Sequence, residues 1–214
     1  MNKLYIVATP IGNLGDITQR ALEALQQADF ILCEDTRVTR KLLTHFDIHK
    51  PTISYHHHST IEKIGKIKEL LLSNNLALVS DAGTPGISDP GNRLIEEVKD
   101  MCEIIPIPGP SAIATIISVA GFATDRFLFL GFIPQKKKRS QFIEEINTYK
   151  YPVIFYESCH RIIKTLKELD PHLEVVVGRE LTKKFETIYR GTTDKVIDMI
   201  EKDKIKGEFT IIRK

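Results

Sequence analysis

The chain has 214 residues, of which 42% are hydrophobic and 27% are charged, and its formal net charge is +2. This composition is typical of a globular protein and excludes disordered and fibrous classes. The length suits two domains of roughly 100 residues each, which is a common domain size. The small positive charge permits a nucleic-acid partner but does not indicate one.

The sequence predicts neither a membrane-spanning helix nor a leader peptide. The longest nearly apolar run, residues 111–123, is interrupted by Ser, Thr and Gly and is shorter than the roughly 20 residues that cross a bilayer. The N-terminal MNKLYIVATP is typical of a first β-strand. The three cysteines have no C-x-x-C spacing, which indicates free thiols in a reducing compartment. We therefore expect a cytoplasmic protein with no membrane partner.

The first half of the chain alternates short apolar runs with helical patterns. The predicted strands are residues 4–8, 30–33, a short run near 53, 76–79 and 103–107, and the predicted helices are residues 18–28, 37–46, 61–72 and 92–101. Such alternation predicts a mainly parallel sheet with helices on both faces.

After PGPSA, residues 108–112, the pattern changes. Helices are predicted over residues 112–119, from about 136, and over 161–169 and 195–202, with strands over residues 127–131, 153–156, 175–177, 186–190 and 209–212. Because little helix separates the last strands, we expect a mixed sheet. The predicted organisation is thus two α/β domains, residues 1–110 and 111–214.

Four loops rich in glycine, proline or acidic residues directly follow predicted strands of the first half: TPIGN, EDTR, DAGTPG and PGPSA. The carboxyl ends of parallel strands lie along one sheet edge, where ligands bind, so we expect these loops to meet. Residues 9–16, 80–91 and 108–112 hold 6 of the 12 glycines and 5 of the 10 prolines. Such rigid, bare backbone suits a small ligand, although ordinary βα connections also use Gly and Pro.

Six motifs, in order along almost the whole chain, carry a family resemblance. They are VATPIGNLGDITQRAL, EDTR, LVSDAGTPGISDPG, PGPSA, FYESCHR and RELTKKFE. In these motifs the chain resembles the bacterial 16S rRNA ribose 2′-O-methyltransferases, which modify a decoding-centre cytidine and belong to the tetrapyrrole methylase superfamily. The resemblance implies S-adenosylmethionine as methyl donor, held in a cleft between two α/β domains. It also implies a homodimer that acts on 16S rRNA or the small ribosomal subunit.

The resemblance also assigns donor-binding residues by motif. They would be Pro10, Asp81, Gly83, Ile87, Ser111 and Ala112, joined in the second domain by Tyr156, Leu181 and Gly207. Relatives that methylate tetrapyrroles usually open with a glycine-rich first loop, whereas this chain has TPIGN. That difference favours the rRNA branch of the superfamily.

Polar residues of the same motifs are candidates for acting on the substrate. When a ribose hydroxyl is methylated its proton must leave, so a nearby base or cation would help. Arg161 and Lys183 are the catalytic candidates, and Asp35 and Arg37 are candidates for substrate binding. The alternative for all four is a salt-bridge network.

The densest basic run consists of Lys136, Lys137, Lys138 and Arg139. In an RNA enzyme it would contact phosphates; otherwise it is the solvated start of a helix.

Three consecutive histidines, residues 56–58, invite a metal-site interpretation. No carboxylate or cysteine stands at ligand spacing, so we predict no metal. Two other functions stay open at this point: a small-molecule methylase of the tetrapyrrole type, and a non-catalytic module that binds S-adenosylmethionine and a partner.

Overall fold

The computed structural model describes residues 1–203 and 205–214. The chain divides into two compact units, Met1–Ser111 and Ala112–Lys214. This division falls one residue beyond the boundary placed from the sequence at residue 110. None of the helices in the described part of the chain has the length and apolarity needed to cross a membrane.

The first unit alternates strands and helices as the sequence indicated. Its elements are β1 (Lys3–Val7), α1 (Gln19–Gln27), β2 (Phe30–Cys33), α2 (Thr36–His45), β3 (Thr52–Ser54), α3 (Ile61–Leu71), β4 (Leu76–Val79), α4 (Asn92–Val98) and β5 (Glu103–Ile107). The sheet order is β3-β2-β4-β1-β5, and every neighbouring pair is parallel. The predicted parallel sheet is confirmed.

Two apolar clusters cover the two faces of this sheet. Successive residues of β2 divide between them, because side chains alternate along a strand: Ile31 packs with α1 and α2, and Leu32 packs with α3 and α4. Burial on both faces explains why β4 is apolar throughout, since a parallel strand with helices on both sides has no solvent face.

Side chains from the carboxyl-edge loops begin three of these helices. Thr18, Asp35 and Thr60 accept hydrogen bonds from the first-turn amides of α1, α2 and α3. Such N-caps each contribute about 1 kcal/mol. They also fix where each loop ends, which keeps the loop edge of the sheet well defined.

The second unit contains a mixed sheet. Its elements are α5 (Ala112–Ser118), β6 (Leu128–Phe132), α6 (Arg139–Thr148), β7 (Val153–Ser158), α7 (Ile162–Glu168), β8 (Glu174–Arg179), β9 (Thr187–Thr192), α8 (Thr193–Lys202) and β10 (Glu208–Arg213). The sheet order is β6-β7-β10-β8-β9; only the β6–β7 pair is parallel. The predicted mixed sheet is confirmed.

The start of α6 differs from the prediction. The sequence places it near residue 136, but the helix begins at Arg139. Lys138 has a left-handed backbone with φ of 64°, which no right-handed helix accommodates. Residues 136–138 therefore belong to the loop before the helix.

Candidate functional site

The loops that follow β1, β4 and β5 meet at the carboxyl edge of the first sheet. The Thr9 amide donates to the Gly83 carbonyl at 2.9 Å, and the Gly83 amide donates back to the Thr9 carbonyl at 3.1 Å. Gly109 lies so close to Ala8 that a Cβ on Gly109 would stand 3.0 Å from the Ala8 Cβ. The loop after β2 joins them, because the Asp35 amide donates to Asp81 Oδ1 at 3.0 Å. The predicted meeting of four loops is confirmed.

The loop of residues 80–91 is held by its own hydrogen bonds. Ser80 Oγ donates to the Gly83 carbonyl at 3.2 Å, and Thr9 Oγ1 donates to the Ser80 carbonyl at 3.2 Å. Gly86 has φ of 86°, and a Cβ there would lie 2.6 Å from Asn92 Oδ1. Only glycine fits this left-handed, crowded position. The loop therefore presents rigid backbone at the sheet edge.

The structure places the predicted donor residues of the first unit along this edge. Pro10 and Gly83 are buried beside the Thr9 bridge, and Ile87 is half-buried in the same loop as Gly83. Asp81 is exposed and directly follows the Ser80 that anchors the loop. Ser111, at the end of the unit, is half-buried.

Carboxylates make this edge electronegative. Burial raises the pKa of Asp89 to about 6, and the nearby charges of Glu34 and Asp81 add to that rise. Hydrogen bonds from Arg37 hold the pKa of Asp35 at about 2. At neutral pH the Asp89 carboxyl group is mostly ionised and favours a cationic ligand.

Asp35 and Arg37 form an ion pair at the start of α2. Arg37 Nη2 lies 2.6 Å from Asp35 Oδ2, and the Arg37 amide donates to Asp35 Oδ1 at 2.8 Å. The two residues thus cap a helix and neutralise each other. Their part in substrate binding stays a prediction.

In the second unit, Leu181 directly follows Glu180 in the chain, and Gly207 lies against the Glu180 side chain. Leu181 is buried against Gly178 of β8, where a Cβ would stand 2.6 Å from Leu181 Cδ2. Gly207 has φ of 92°, and a Cβ there would lie 2.4 Å from the Glu180 carboxyl group. Glycine at this position therefore makes room for the Glu180 side chain.

Lys183 is bound by two carboxylates. Its Nζ lies 2.9 Å from Glu180 Oε1 and 2.8 Å from Glu208 Oε2. Burial lowers the pKa of Lys183, but its hydrogen bonds with Glu208 and Glu180 outweigh burial, and the net pKa is raised above the usual value. Lys183 is therefore a cation at neutral pH, suited to orienting an oxygen rather than to removing a proton.

Arg161 belongs to a buried polar network. Its Nη2 lies 2.8 Å from Glu157 Oε1, and the Glu157 side chain is 0% exposed. Thr165 Oγ1 donates to Glu157 Oε2 at 2.7 Å and accepts from Arg139 Nη2 at 2.9 Å. Arg161 thus neutralises a carboxylate that would be costly to bury alone.

Arg139 does not share the exposure of the lysines before it. The sequence grouped residues 136–139 as one basic surface; Lys136, Lys137 and Lys138 are exposed, but the Arg139 side chain is 10% exposed and pairs with Glu168 at 2.9 Å. The grouping is wrong at Arg139, because α6 begins there and directs its guanidinium to α7.

Tyr156, another predicted donor residue, lies on β7 opposite Thr210. Its ring packs edge-on against two phenylalanines. The centroid of the Tyr156 ring lies 5.1 Å from that of Phe129 and 5.3 Å from that of Phe132. Ala112 begins α5 and is half-buried.

The sequence model of the tetrapyrrole (corrin/porphyrin) methylases matches residues 3–197. The chain belongs to this family. It is 47% identical to ribosomal RNA small subunit methyltransferase I of Halalkalibacterium halodurans, over 98% of this chain and 74% of the relative. It is 46% identical to the protein of the same name from Synechocystis sp., over 99% of this chain and 78% of the relative.

A solved structure of diphthine synthase has the same fold. The TM-score is 0.74 at 14% sequence identity, and the match covers 99% of this chain and 90% of that one. The tetrapyrrole methylase fold predicted from the six motifs is therefore confirmed.

Two features of this chain were missed from the sequence. Asp89 stands in the long loop, and its place among glycines and prolines after an apolar strand was the available signal. Thr165 had no signal, because its importance depends on the charged groups that α6 and β7 bring to it.

The three consecutive histidines lie in the loop after β3, and all three are exposed. Within residues 1–203 and 205–214, no three His, Cys, Asp or Glu side chains are grouped so as to hold a metal ion.

Proposed function

We propose that this protein is an S-adenosylmethionine-dependent methyltransferase of small-subunit rRNA. In finer detail, we propose that it methylates the ribose 2′-hydroxyl of a cytidine in the decoding centre of 16S rRNA. The observation that carries the proposal is the 46–47% identity, over nearly the whole chain, to two proteins named ribosomal RNA small subunit methyltransferase I. The finer target is supported by the six motifs.

The carboxyl edge of the first unit fits S-adenosylmethionine. This donor has a sulfonium and an ammonium group, and the edge offers the carboxylates of Asp81 and Asp89. A Cβ added to Gly83 would extend toward Ile11 and the Pro110 carbonyl, at 3.4 and 3.7 Å. Gly83 also has a positive φ of 80°, so glycine suits the backbone bridge to Thr9.

Bound there, the donor would supply an electrophilic methyl group. Residues of the first unit proposed to hold it are Pro10, Asp81, Gly83, Ile87 and Ser111, and those of the second unit are Ala112, Tyr156, Leu181 and Gly207. Asp81 would accept hydrogen bonds from a donor amine or hydroxyl group, since its carboxylate is exposed.

Arg161 and Lys183 are proposed to position the substrate. Each holds its charge through carboxylates of its own unit, Glu157 for Arg161 and both Glu180 and Glu208 for Lys183. A fixed cation can hold the ribose hydroxyl or an adjacent phosphate in line with the methyl group, and orientation alone supplies much of the rate of such a displacement. Asp35 and Arg37 are proposed to contact the RNA at the loop edge of the first unit, to which they belong.

The acceptor can be identified by direct competition. Purified protein with labelled S-adenosylmethionine is incubated with small ribosomal subunits, with free 16S rRNA and with a tetrapyrrole acceptor. The proposal predicts label in rRNA. Label only in the tetrapyrrole would establish the small-molecule methylase instead, and donor binding with no transfer would indicate a non-catalytic module.

The assembly state rests on the resemblance alone. We propose a homodimer that acts on 16S rRNA or on the small subunit. Sedimentation equilibrium tests this; a mass of one chain at micromolar concentration would refute it.

A further inference from the structure

A bulge in β6 turns two phenylalanines toward the same tyrosine. Phe129 pairs with Ile154 and Phe132 with Tyr156, so three residue steps on β6 match two on β7. Gly131, with φ of 66°, supplies the left-handed residue that such a bulge uses. Residues three apart face opposite sides of a regular strand, but here both rings contact Tyr156.

Phe132 is nevertheless 55% exposed. Its contact with Tyr156 is edge-on, with an interplanar angle of 60°. The ring is therefore held on one side while much of its surface stays in solvent. Because the Phe132 ring is already held on one side, it can stack against a flat ligand with little further loss of conformational entropy.

The segment that follows Phe132 is fixed by two arginines. Arg161 Nη1 donates to the Ile133 carbonyl at 3.0 Å, and Arg139 Nη1 donates to the Pro134 carbonyl at 3.3 Å. Both guanidinium groups are themselves bound to carboxylates, Glu157 and Glu168. The backbone between Phe132 and the lysine loop is thus anchored at two consecutive residues.

This anchored segment leads directly to Lys136, Lys137 and Lys138, which are exposed. Four residues of chain span at most about 14 Å, so the Lys136 backbone lies within about that distance of the Phe132 backbone. In residues 1–203 and 205–214, no carboxylate forms an ion pair with these lysines, whereas the adjacent Arg139 is paired with Glu168. Their charges are available to an anionic partner.

We propose that Phe132 and Lys136–Lys138 form a platform for single-stranded RNA. An unpaired base stacks on the Phe132 ring, and the lysines contact phosphates of neighbouring nucleotides. The proposal rests on the proposed function and specifies which part of the chain holds the substrate. A single strand is favoured over a duplex because only an unpaired base exposes its face for stacking.

The test measures binding of the full chain to a labelled single-stranded oligoribonucleotide of mixed sequence and to a duplex of that sequence, without methyl donor. Phe132→Leu should weaken single-strand binding by about 5- to 150-fold, since base stacking on an aromatic side chain contributes about 1–3 kcal/mol. Phe132→Tyr keeps a ring and should bind like wild type. Phe127→Leu, just before the start of β6 and 43% exposed, is the matched control and should also bind like wild type.

The salt dependence of single-strand binding tests the lysines. Replacing residues 136–138 by Ala should lower the magnitude of the salt slope of single-strand binding by about 2, at about 0.7 per phosphate contact. A control triple at the exposed Lys41, Lys66 and Lys195 removes the same charge elsewhere and should change the slope much less. Thermal unfolding checks that each variant is folded.

Equal single-strand affinity for folded Phe132→Leu and Phe127→Leu would overturn the platform, as would an equal loss on the duplex. If Phe132→Leu does not fold, the lysine triple decides, and an unchanged salt slope overturns the proposal. Failure of the proposed function is a separate result: wild type would transfer no methyl group to rRNA, whatever its binding to the oligoribonucleotide.

Discussion

Asp81 is exposed at the loop edge of the first sheet, where its Oδ1 accepts a hydrogen bond from the Asp35 amide at 3.0 Å. The side chain therefore has two tasks that a substitution can separate. One is to connect two loops, and the other, under the proposed function, is to hold a positively charged donor. Asn keeps an oxygen acceptor for the Asp35 amide but has no charge.

We predict that Asp81→Asn weakens binding of S-adenosylmethionine by about 10- to 150-fold, because a hydrogen bond to a charged group contributes about 1.5–3 kcal/mol. Its unfolding temperature should stay close to wild type. Asp81→Ala should lose both donor affinity and some stability. Titration calorimetry and thermal unfolding measure the two effects; a folded Asn variant with wild-type affinity would remove Asp81 from the donor site.

Asp89 gives a prediction about pH. Its pKa is raised from 3.8 to about 6, chiefly by burial. The folded state therefore binds this proton more tightly than the unfolded state does, and stability falls as pH rises from about 4 to about 6. Asp89→Asn removes this cost, so the variant should be more stable than wild type at pH 7.5 but not at pH 4.

Urea unfolding at several pH values, without donor, measures this difference. Asp35→Asn is the control with the opposite sign. The pKa of Asp35 is lowered from 3.8 to about 2, so its ionised form stabilises the folded state, and this contribution is lost only as pH falls from about 4 to about 2. Asp35→Asn should be less stable than wild type throughout the range from pH 4 to 7.5. An advantage for Asp89→Asn that persists unchanged at pH 4 would contradict the assigned pKa.

At the scale of elements, α6, α7 and β7 are joined by polar side chains as well as by an apolar core. Arg139 begins α6, Thr165 lies within α7, and Glu157 belongs to β7. Thr165 is 0% exposed, and its hydroxyl contacts both of the other two. Replacing the Thr165 hydroxyl by a methyl group therefore removes hydrogen bonds that connect α6, α7 and β7.

Thr165→Val has nearly the same shape but no hydroxyl. It leaves a buried carboxylate oxygen and a buried guanidinium N–H each with one partner fewer, and we expect a loss of about 2 kcal/mol or more in the free energy of unfolding. Thr165→Ser keeps the hydroxyl and should lose only about 0.8 kcal/mol, for one buried methyl group. Urea unfolding distinguishes them; a Val variant as stable as the Ser variant would show that the network adds little.

A substitution at Gly207 tests the packing around Glu180, the carboxylate that pairs with Lys183. Gly207→Ala would combine a strained φ of 92° with a Cβ placed 2.4 Å from the Glu180 carboxyl group. Gly121→Ala has a similar φ of 78° with nothing within 4 Å of the new Cβ, so it measures backbone strain alone, about 1–2 kcal/mol. We expect Gly207→Ala to lose clearly more stability than Gly121→Ala, because Glu180 must move away from Lys183. Equal losses in thermal unfolding would contradict this.

The sequence predicted the elements well where their pattern was local. The apolar runs, helical periodicities and Gly and Pro loops of the first unit all arise from neighbouring residues, and the parallel sheet follows from them. The burial of Arg139 could not be predicted, because its partners Thr165 and Glu168 lie 26 and 29 residues further along the chain. The β6 bulge was equally hidden, since Gly131 is its only local sign within an apolar run.

At the scale of the whole molecule, the two units have different chemical character. The loop edge of Met1–Ser111 is rich in carboxylates and bare backbone, and Ala112–Lys214 carries the exposed lysines 136–138 and the exposed Phe132 ring. This distribution is consistent with a cationic donor held chiefly by the first unit and an anionic RNA held chiefly by the second.

Donor binding should not require a metal, because the proposed contacts are backbone groups and the Asp81 carboxylate. We predict that the affinity for S-adenosylmethionine, measured by calorimetry, is the same with a chelator and with added magnesium. Loss of binding with the chelator and recovery with a divalent cation would show that a metal completes the site.

The proposed function is methyl transfer to one ribose of small-subunit rRNA. The most direct measurement maps ribose 2′-O-methylation in the 16S rRNA of cells that lack this gene and of the same cells carrying the wild-type or the Asp81→Asn gene. We predict one cytidine of the decoding centre that is unmethylated without the gene, methylated again with the wild-type gene and largely unmethylated with Asp81→Asn. Identical ribose methylation of 16S rRNA with and without the gene would contradict it.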